Sequence, residues 1–282
     1  MGSDKDDNSR ALDQFYTKPE VAKICIEFLK QNVLPQNRCI FLEPSCGTGS
    51  FSLNLENCVS VDLDPKIENA KKGDFLTLSK TELNISHENL EVCTVGNPPF
   101  GPVCSLAVNF FNHAATMSDT ICFILPRSFK KVSIQKRINK EFHLLAEKGI
   151  SENSFIHKGL DYDVPCVFQI WQRRKGDIRQ ISESRESEFF EFVQADGAQA
   201  SVRRVGVNAG KASRDTFKSK TSHYFIKLKD DKLSIDKVIE KINSLDFPEK
   251  HNTSGPLSIS KAELVALIDP ALKAMNEAAQ IS

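Results

Sequence analysis

Short apolar runs rich in β-branched residues alternate with amphipathic stretches of helical period as far as Trp171. Such alternation is typical of a parallel sheet that is covered by helices on both faces. Five clear runs predict strands, and two weaker runs bring the expected number to seven. The clear strands are Cys39–Leu42, Cys58–Asp62, Val92–Val95, Thr120–Leu125 and Val164–Trp171, and the weaker ones lie near Gly73–Leu76 and Phe142–Glu147. We therefore expect an α/β fold with a seven-stranded sheet.

A helix is predicted ahead of the first of these strands. Thr17 and Glu20 have the spacing of a capping box, and Pro19 falls in the first turn, where its missing N–H is tolerated. The apolar stripe that follows, from Val21 to Phe28, predicts a helix face that packs on the core.

The pattern changes after Trp171. The stretch from Gln172 to Glu188 is polar and charged, has no apolar period and therefore predicts a linker. We accordingly expect a domain of residues 1–175 and a smaller C-terminal α+β unit of residues 186–282. The predicted elements of this unit are strands at Phe189–Val193, Ser201–Val207 and His223–Leu228 and helices near Ser234–Leu245 and Ser260–Ala279.

Composition narrows the class of protein. The chain has 282 residues, 40% of them hydrophobic and 26% charged, which is enough for one α/β domain and a smaller unit. No apolar run approaches the roughly 20 residues of a membrane-spanning helix, and the first residues lack a signal-peptide pattern. We therefore expect an intracellular protein, in the cytoplasm or nucleus, without membrane contact. The eight cysteines form no CxxC pair and the histidines lack ligand spacing, so we expect reduced core thiols and no metal.

The tetrapeptide Asn97-Pro98-Pro99-Phe100 is the most informative short segment of the chain. Neither proline can donate a backbone N–H, and Pro99 forces Pro98 into an extended conformation that turns its carbonyl outward. The Asn97 side chain and the Pro98 carbonyl can then accept both hydrogens of one exocyclic amino group. Phe100 offers a stacking surface for the ring that carries this group. The tetrapeptide therefore predicts a site for a flat ring with an amino group.

A glycine loop, EPSCGTGSF at residues 43–51, follows the first clear strand. Gly47 and Gly49 let the backbone approach a ligand closely. Asp62 ends the next clear strand, where an acidic side chain can accept both hydroxyls of a nucleoside ribose, with a helix-cap or turn residue as the alternative. The loop lacks both the third glycine of dinucleotide sites and the lysine of phosphate-binding loops. It fits a nucleoside without a phosphate chain, and S-adenosylmethionine qualifies.

With EPSCGTGSF and NPPF in this order, the chain resembles the S-adenosylmethionine-dependent amino-methyltransferases that act on adenine N6 or, in relatives, on cytosine N4. The resemblance extends from about Asp13 to Trp171, and the motif order is similar to the gamma arrangement of DNA adenine methyltransferases. It implies a Rossmann-like methyltransferase sheet, S-adenosylmethionine as cofactor and direct transfer of a methyl group to nitrogen. The segment from Asp13 to Pro19 looks like the part that closes over the methionine end of the cofactor. The catalytic residues implied are Asn97, Pro98, Pro99 and Phe100, and the cofactor-binding residues implied are Tyr16, Thr17, Glu43, Ser45, Gly47, Gly49, Asp62, Asp74 and Phe75.

Basic residues cluster in the second half of the chain, although the net charge is zero. Such clusters either contact phosphate or simply face solvent. Arg127 follows the strand beside the tetrapeptide and is a candidate for the pocket rim. Arg203 and Arg204 precede a Gly/Asn loop that ends at Lys211, which favours phosphate contact. We take these four residues as candidates for substrate binding, with a plain surface hairpin as the alternative for residues 203–211.

These observations predict an enzyme that methylates adenine N6 in nucleic acid. DNA is favoured over RNA because the basic C-terminal unit has the size of a target-recognition domain. Two alternatives stay open. One is a protein glutamine-N5 methyltransferase, since a glutamine amide presents the same amino geometry, and the other is a catalytically silent cofactor-binding subunit. Target sequence, strandedness and oligomeric state have no signature in the sequence.

Overall fold

The computed structural model of the chain describes residues 15–33, 39–85, 90–181, 183–253 and 255–281. The chain forms two compact units, with the division after Ile181. Asp13 and Gln14, at the start of the N-terminal motif, lie outside the described residues. None of the helices in the described part of the chain has the length and apolarity that a bilayer crossing needs.

The first unit contains, among its described residues, ten strands and three α-helices. The strands are β1 (Tyr16–Thr17), β2 (Cys39–Glu43), β3 (Cys58–Asp62), β4 (Lys71–Lys72), β5 (Glu91–Gly96), β6 (Thr120–Pro126), β7 (Phe142–Gly149), β8 (Phe155–His157), β9 (Leu160–Tyr162) and β10 (Cys166–Arg173). The helices are α1 (Pro19–Asn32), α2 (Ser105–Ala114) and α3 (Val132–Gln135).

Seven of these strands form one mixed sheet in the order β4-β3-β2-β5-β6-β10-β7, which confirms the α/β fold and the number of strands. The first five strands in this order are parallel to one another. Strand β10 is antiparallel to both β6 and β7, so the expectation of a wholly parallel sheet is wrong. The chain returns from β7 to β10 through residues 150–165, which contain no helix. Parallel neighbours need a crossover connection, usually a helix, and this return lacks one.

The weak strand predicted near Gly73–Leu76 is wrong. The edge strand β4 is shorter and ends before it, and residues Phe75–Thr77 form a single 3-10 turn. The Asp74 carboxylate caps this turn by accepting a hydrogen bond from the Leu76 amide at 3.0 Å. A short acidic side chain beside free backbone N–H groups favours such a cap over an extended strand.

The predicted capping box at the start of α1 is also wrong. Thr17 lies in β1, where it pairs with Phe155 of β8, and the N-cap is Lys18, whose side chain makes no capping hydrogen bond. Pairing of Thr17 with a distant strand therefore overrides the local capping signal. Pro19 does occupy the first turn of the helix, as predicted.

Side chains of β2 alternate between two core clusters on opposite faces of the sheet. Ile40 and Leu42 pack with residues of α2, whereas Cys39 and Phe41 pack with residues of α1. All residues of β2 are buried, as expected for a central strand that is covered on both faces. Seven of the eight cysteines are buried free thiols, in agreement with the prediction of core thiols.

A second, three-stranded sheet of order β1-β8-β9 belongs to the first unit. Strands β8 and β9 are joined by Lys158 and Gly159, with φ values of 51° and 79°. Positive φ at both central residues is the requirement of a type I′ turn, the tightest common hairpin connection. The tight turn therefore fixes the position of β8, the strand with which β1 pairs.

The second unit combines a four-stranded antiparallel sheet of order β11-β14-β12-β13 with two helices. The strand predicted at Ser201–Val207 stops at Arg203, and β13 is a short strand that the pattern did not predict. The strands are β11 (Phe190–Phe192), β12 (Ala200–Arg203), β13 (Ala212–Ser213) and β14 (His223–Leu228), and the helices are α4 (Ile235–Ser244) and α5 (Lys261–Ile281). Side chains from both sheet and helices form its own apolar core.

The polar stretch after Trp171 does not begin as a linker. Strand β10 continues through Gln172 to Arg173, whose guanidinium pairs with Glu141 and stacks on the ring of Phe142 at 4.6 Å. A charged side chain that is held by a partner and an aromatic face belongs to the packed unit, although its residue type suggests a loop.

Candidate functional site

A cavity of about 320 Å³ opens at the carboxyl ends of the central strands of the first unit. The chain leaves β2 toward β3 on one side, whereas β5 lies on the other side, so the sheet order reverses between β2 and β5. Ligands of open α/β sheets bind at such switch points. The cavity wall contains the following predicted residues: Tyr16, Thr17, Glu43, Ser45, Gly47, Asp62, Asp74, Phe75, Asn97 and Pro99.

The glycine loop is fastened to the end of β3. The Gly47 amide donates to Oδ2 of Asp62 at 2.7 Å, and the Asp64 amide donates to Oδ1 of Asp62 at 2.8 Å. Each carboxylate oxygen keeps further acceptor capacity on the cavity wall. Asp62 is thus held in one orientation in which it can accept hydroxyl groups.

Gly47 also packs against the ring of Tyr16. It has a φ of 50°, and a Cβ there would come within 2.8 Å of the Tyr16 ring. Glycine therefore satisfies both the left-handed backbone and the close approach. Gly49, with a φ of 79°, is not part of the cavity wall, and its amide closes the turn by donating to the Cys46 carbonyl at 2.7 Å.

Glu43 is the most buried carboxyl group of the cavity wall, with 2% of its surface exposed. Its Oε2 atom accepts a hydrogen bond from the Ser52 amide at 2.9 Å. Burial raises the pKa of Glu43 to about 7, against the lowering effect of hydrogen bonds from Ser52 and Phe51. A positive charge in the cavity would favour the ionised carboxylate.

Asp74 and Phe75 form another part of the cavity wall. One oxygen of Asp74 caps the 3-10 turn, and Phe75 is fully buried with its ring edge-on to His113 at 4.8 Å. Phe75 also packs 5.4 Å from Phe110, another wall residue. The ring is therefore a fixed apolar boundary beside a carboxylate.

Asn97 has the most informative geometry of the site. Its Nδ2 atom donates to the carbonyl oxygen of Phe15 at 3.0 Å, and Ser45 Oγ donates to its main-chain carbonyl at 3.1 Å. Its Oδ1 atom is buried and has no hydrogen-bond partner among the described residues. A buried acceptor without a partner costs about 1–3 kcal/mol, so it marks either strain or a place kept for a ligand.

The rest of the tetrapeptide divides between wall and core. Pro99 lines the cavity, and Pro98 is buried behind it. Phe100 is half-buried, contacts both core clusters and is not a wall residue. Its role as a stacking surface stays a prediction.

Arg127 is exposed and is not a residue of the cavity wall. It follows β6 in a 3-10 turn, and its amide donates to the Pro165 carbonyl at 2.9 Å. The next residue, Ser128, lies 3.0 Å from the sulfur of Cys104 through its hydroxyl oxygen. The predicted contact of Arg127 with substrate stays a prediction.

The other three candidate cations belong to the second unit, and each has a partner inside it. Arg203 Nε donates to the Val205 carbonyl at 2.9 Å, and Lys211 Nζ donates to the Asn243 carbonyl at 2.9 Å. Arg204 is half-buried with its guanidinium 5.1 Å from the centre of the Tyr224 ring. Arg204 thus contributes to packing, whereas Arg203 and Lys211 are exposed.

The sequence did not point to Phe15, whose carbonyl fixes the Asn97 amide. The Phe15 ring stacks on Tyr162 of β9 at 4.8 Å and lies 4.7 Å from His157 of β8. The Lys158-Gly159 pair between two short alternating segments was an available turn signal for this hairpin. Within the described ranges, no group of three or more His, Cys, Asp or Glu side chains could hold a metal ion.

Comparisons with known proteins give limited similarity. Neither the protein-family models nor the curated sequences contain a match. A Listeria monocytogenes structure, provisionally named a class I S-adenosylmethionine-dependent methyltransferase, is 14% identical with a TM-score of 0.43, and the match covers 60% of this chain and 64% of that one. A Pyrococcus horikoshii structure, provisionally named an RNA methyltransferase, is 14% identical with a TM-score of 0.39 over 57% and 87% of the two chains. A Thermoplasma acidophilum structure is 14% identical with a TM-score of 0.38 over 56% and 88%. The chain thus spans less than two thirds of the first of these proteins, and the values are too low to indicate a reaction.

Proposed function

We propose that the chain is an S-adenosylmethionine-dependent methyltransferase that modifies the N6 amino group of adenine in nucleic acid, with DNA as the favoured polymer. The observation that carries this proposal is the buried Oδ1 atom of Asn97, an acceptor without a partner in the wall of the cavity. An amide oxygen needs a hydrogen-bond donor, and an exocyclic amino group supplies one.

The cofactor half of the cavity fits S-adenosylmethionine by its donor and acceptor set. Asp62 is oriented to accept the two ribose hydroxyls, and Asp74 beside Phe75 suits the amino edge and ring of adenine. The loop of residues 43–51 carries no basic residue, which disfavours a phosphate chain. The buried carboxyl of Glu43 suits a ligand with positive charge.

The proposed acceptor half contains Asn97 in the cavity wall, and we expect the buried Pro98 to contribute its main-chain carbonyl. The Asn97 Oδ1 atom and the Pro98 carbonyl are expected to accept the two N–H groups of the target amine. S-adenosylmethionine supplies the methyl group on a sulfonium, whose sulfur keeps the electron pair of the broken C–S bond. As the amine nitrogen forms its new bond to carbon it becomes positive, so both hydrogen bonds strengthen in the transition state. The nitrogen then loses one proton to solvent, and no side chain has to act as a strong base.

Nucleic acid is favoured as the acceptor by the charge of the second unit. Between Arg203 and Ser222 the sequence has six basic residues and one acidic residue. Positive charge of this density favours phosphate, whereas a site for a protein glutamine does not need it. In a duplex the adenine would have to leave the stack, at a cost of a few kcal/mol.

A transfer assay tests the proposal. The protein is incubated with methyl-labelled S-adenosylmethionine and with duplex DNA, single-stranded DNA, RNA or a protein extract, and the modified unit is identified by mass spectrometry. We expect N6-methyladenine, with DNA the best substrate. Label on glutamine alone, or no label in any pool while the cofactor binds, would overturn the proposal.

The Asn97→Ala variant tests the role of the unpartnered Oδ1 atom of Asn97. It should lose transfer but keep cofactor binding. Asn32→Ala is a matched control, because Asn32 also donates its amide to a backbone carbonyl, that of Phe28 at 2.8 Å, on the exposed end of α1. Full activity of Asn97→Ala would contradict the mechanism.

A further inference from the structure

Phe217 is completely exposed to solvent, at 100% of its reference surface. It lies between β13 and β14 in the second unit, in the segment of residues 214–222. An aromatic side chain normally contributes to stability by burial, and this ring makes no such contribution. A single exposed apolar residue is common on proteins, so its surroundings decide whether it has a role.

The backbone that presents Phe217 is fastened to the unit. The Phe217 amide donates to Oδ1 of Asp215 at 2.9 Å, and the Asp215 main-chain carbonyl accepts from Ser201 Oγ of β12 at 2.6 Å. The other carboxylate oxygen of Asp215 pairs with Lys218 Nζ at 2.6 Å. The ring is therefore held out from a fixed turn.

Basic residues flank Phe217 in the chain. Arg214, Lys218 and Lys220 are in the same segment, where Arg214 pairs with Asp236 and Lys218 pairs with Asp215. Arg203 stands opposite His223 in the β12–β14 pairing. Burial lowers the pKa of His223, and the charges of Arg203 and Lys218 lower it further, so both cations are close to this histidine. A cation of β12 and a cation of the 214–222 segment thus act on the same histidine.

We propose that Phe217 is a platform on which an unpaired base of a nucleic-acid strand stacks, while Lys218 and Lys220 contact the phosphates beside it. A flat apolar face between cations matches the repeat of base and phosphate in a single strand. Any base can stack on an aromatic side chain, so we expect the platform to bind single strands without preference for their sequence. The inference deepens the proposed function, on which it rests, because it makes an unpaired nucleotide part of the substrate.

Equilibrium binding of the full-length protein tests the inference. The probes are fluorescently labelled DNA and RNA single strands of about 16 nucleotides, the upper end of known site sizes, and the corresponding duplexes. Phe217→Ala removes the ring, Phe217→Leu keeps apolar area without an aromatic face, and Phe217→Tyr keeps the ring. Lys220→Gln removes one cation, and Lys232→Gln, an exposed lysine paired with Asp230, is its matched control.

We expect Phe217→Ala to weaken single-strand binding by about 5- to 150-fold, the fold-change that corresponds to the loss of one stacked base. Phe217→Leu should lie close to the alanine variant, Phe217→Tyr should bind like the wild type, and duplex affinity should change by less than about 2-fold. Lys220→Gln should lower the slope of log affinity against log salt concentration by about one, whereas Lys232→Gln should leave this slope unchanged.

Several results would overturn the inference. These are absence of wild-type binding to every strand, unchanged binding of Phe217→Ala, or an equal loss for duplex and single strand. The same holds if Phe217→Ala abolishes binding to vesicles of anionic lipid but not to nucleic acid, since the ring would then belong to a membrane contact. A strand affinity that depends on Phe217 without any methyl transfer would overturn the proposed function and leave this inference standing.

Discussion

The Nδ2 atom of Asn97 donates a hydrogen bond to the main-chain carbonyl of Phe15 at 3.0 Å. The two residues are 82 positions apart in the chain, and the bond decides which end of the amide is left over. With the amino end taken by Phe15, the oxygen end is the one that remains for a ligand. This hydrogen bond therefore connects the N-terminal segment to the tetrapeptide of residues 97–100.

Loss of the Asn97 amide should affect the chemical step far more than cofactor binding. We expect Asn97→Ala to lower kcat by about 10²- to 10³-fold, the usual effect of removing one hydrogen bond that is strongest in the transition state. Transfer of label from S-adenosylmethionine measures kcat, and calorimetric titration measures cofactor affinity. An equal loss in both quantities would instead indicate that the variant has lost its fold at the site.

Tyr162 should act as a positioning residue through Phe15. Its ring is 42% exposed and stacks on the Phe15 ring, so Tyr162→Ala loosens the segment that orients Asn97. An aromatic pair contributes about 0.5–1.5 kcal/mol, which predicts a decrease in kcat of about 2- to 12-fold with little change in KM for cofactor. Tyr162→Phe keeps the stack and should restore kcat. Leu160→Ala, at an exposed position of the same hairpin, is the control.

A side chain at position 47 should impair cofactor binding. Gly47→Ala places a Cβ against the Tyr16 ring and forces an alanine to adopt a φ of 50°. The left-handed conformation alone costs about 1–2 kcal/mol, and a loop that relaxes from it in the free protein must regain it to bind cofactor, so we expect cofactor affinity to fall by about 5- to 30-fold. Gly149→Ala is a matched control, because nothing lies within 4 Å of a Cβ at that position. Equal affinities for the two variants would contradict this role of Gly47.

Replacement of Glu43 should change how stability depends on pH. Burial raises the pKa of Glu43 in the folded protein to about 7 from an ordinary value of 4.5, so the folded state holds this proton more tightly than the unfolded state. The contribution of Glu43 to the free energy of unfolding of the wild type is therefore highest below pH 4.5 and falls as the pH rises toward 7.

The Glu43→Gln variant, which stays neutral, should gain stability relative to the wild type over that pH interval, by on the order of 3 kcal/mol. Urea unfolding at several pH values measures the difference. Glu27→Gln, an exposed carboxyl on α1, controls for the loss of one acidic residue. A constant difference between Glu43→Gln and the wild type at all pH values would show that Glu43 titrates normally.

The parts of the structure that the sequence predicted have local signatures. Strand β2 is a run of apolar residues because both its faces are covered. The loop after it has a glycine at position 47 because a side chain there would meet the Tyr16 ring. Strand β1 has only two residues and exists because β8 pairs with it, so no local pattern can predict it.

Functional atoms of the main chain leave no mark on the sequence. The Phe15 carbonyl orients Asn97, yet any residue type at position 15 would supply the same oxygen. The exposure of Phe217 was likewise hidden, since the residue type alone favours a buried position. The Gly49 amide closes the turn, a role that the glycine pattern did not indicate, and its contact with the cofactor stays a prediction.

The short strand β1 has a consequence for the order in which the two substrates can arrive. The Tyr16 ring covers Gly47 on the cofactor side, and the adjacent residue, Phe15, holds the Asn97 amide on the acceptor side. Without the hydrogen bond to Phe15, the amide of Asn97 would be free to turn by half a rotation and present its NH2 end to an incoming amine. In the proposed reaction two donors would then face each other, so we expect the target amine to bind only after the cofactor.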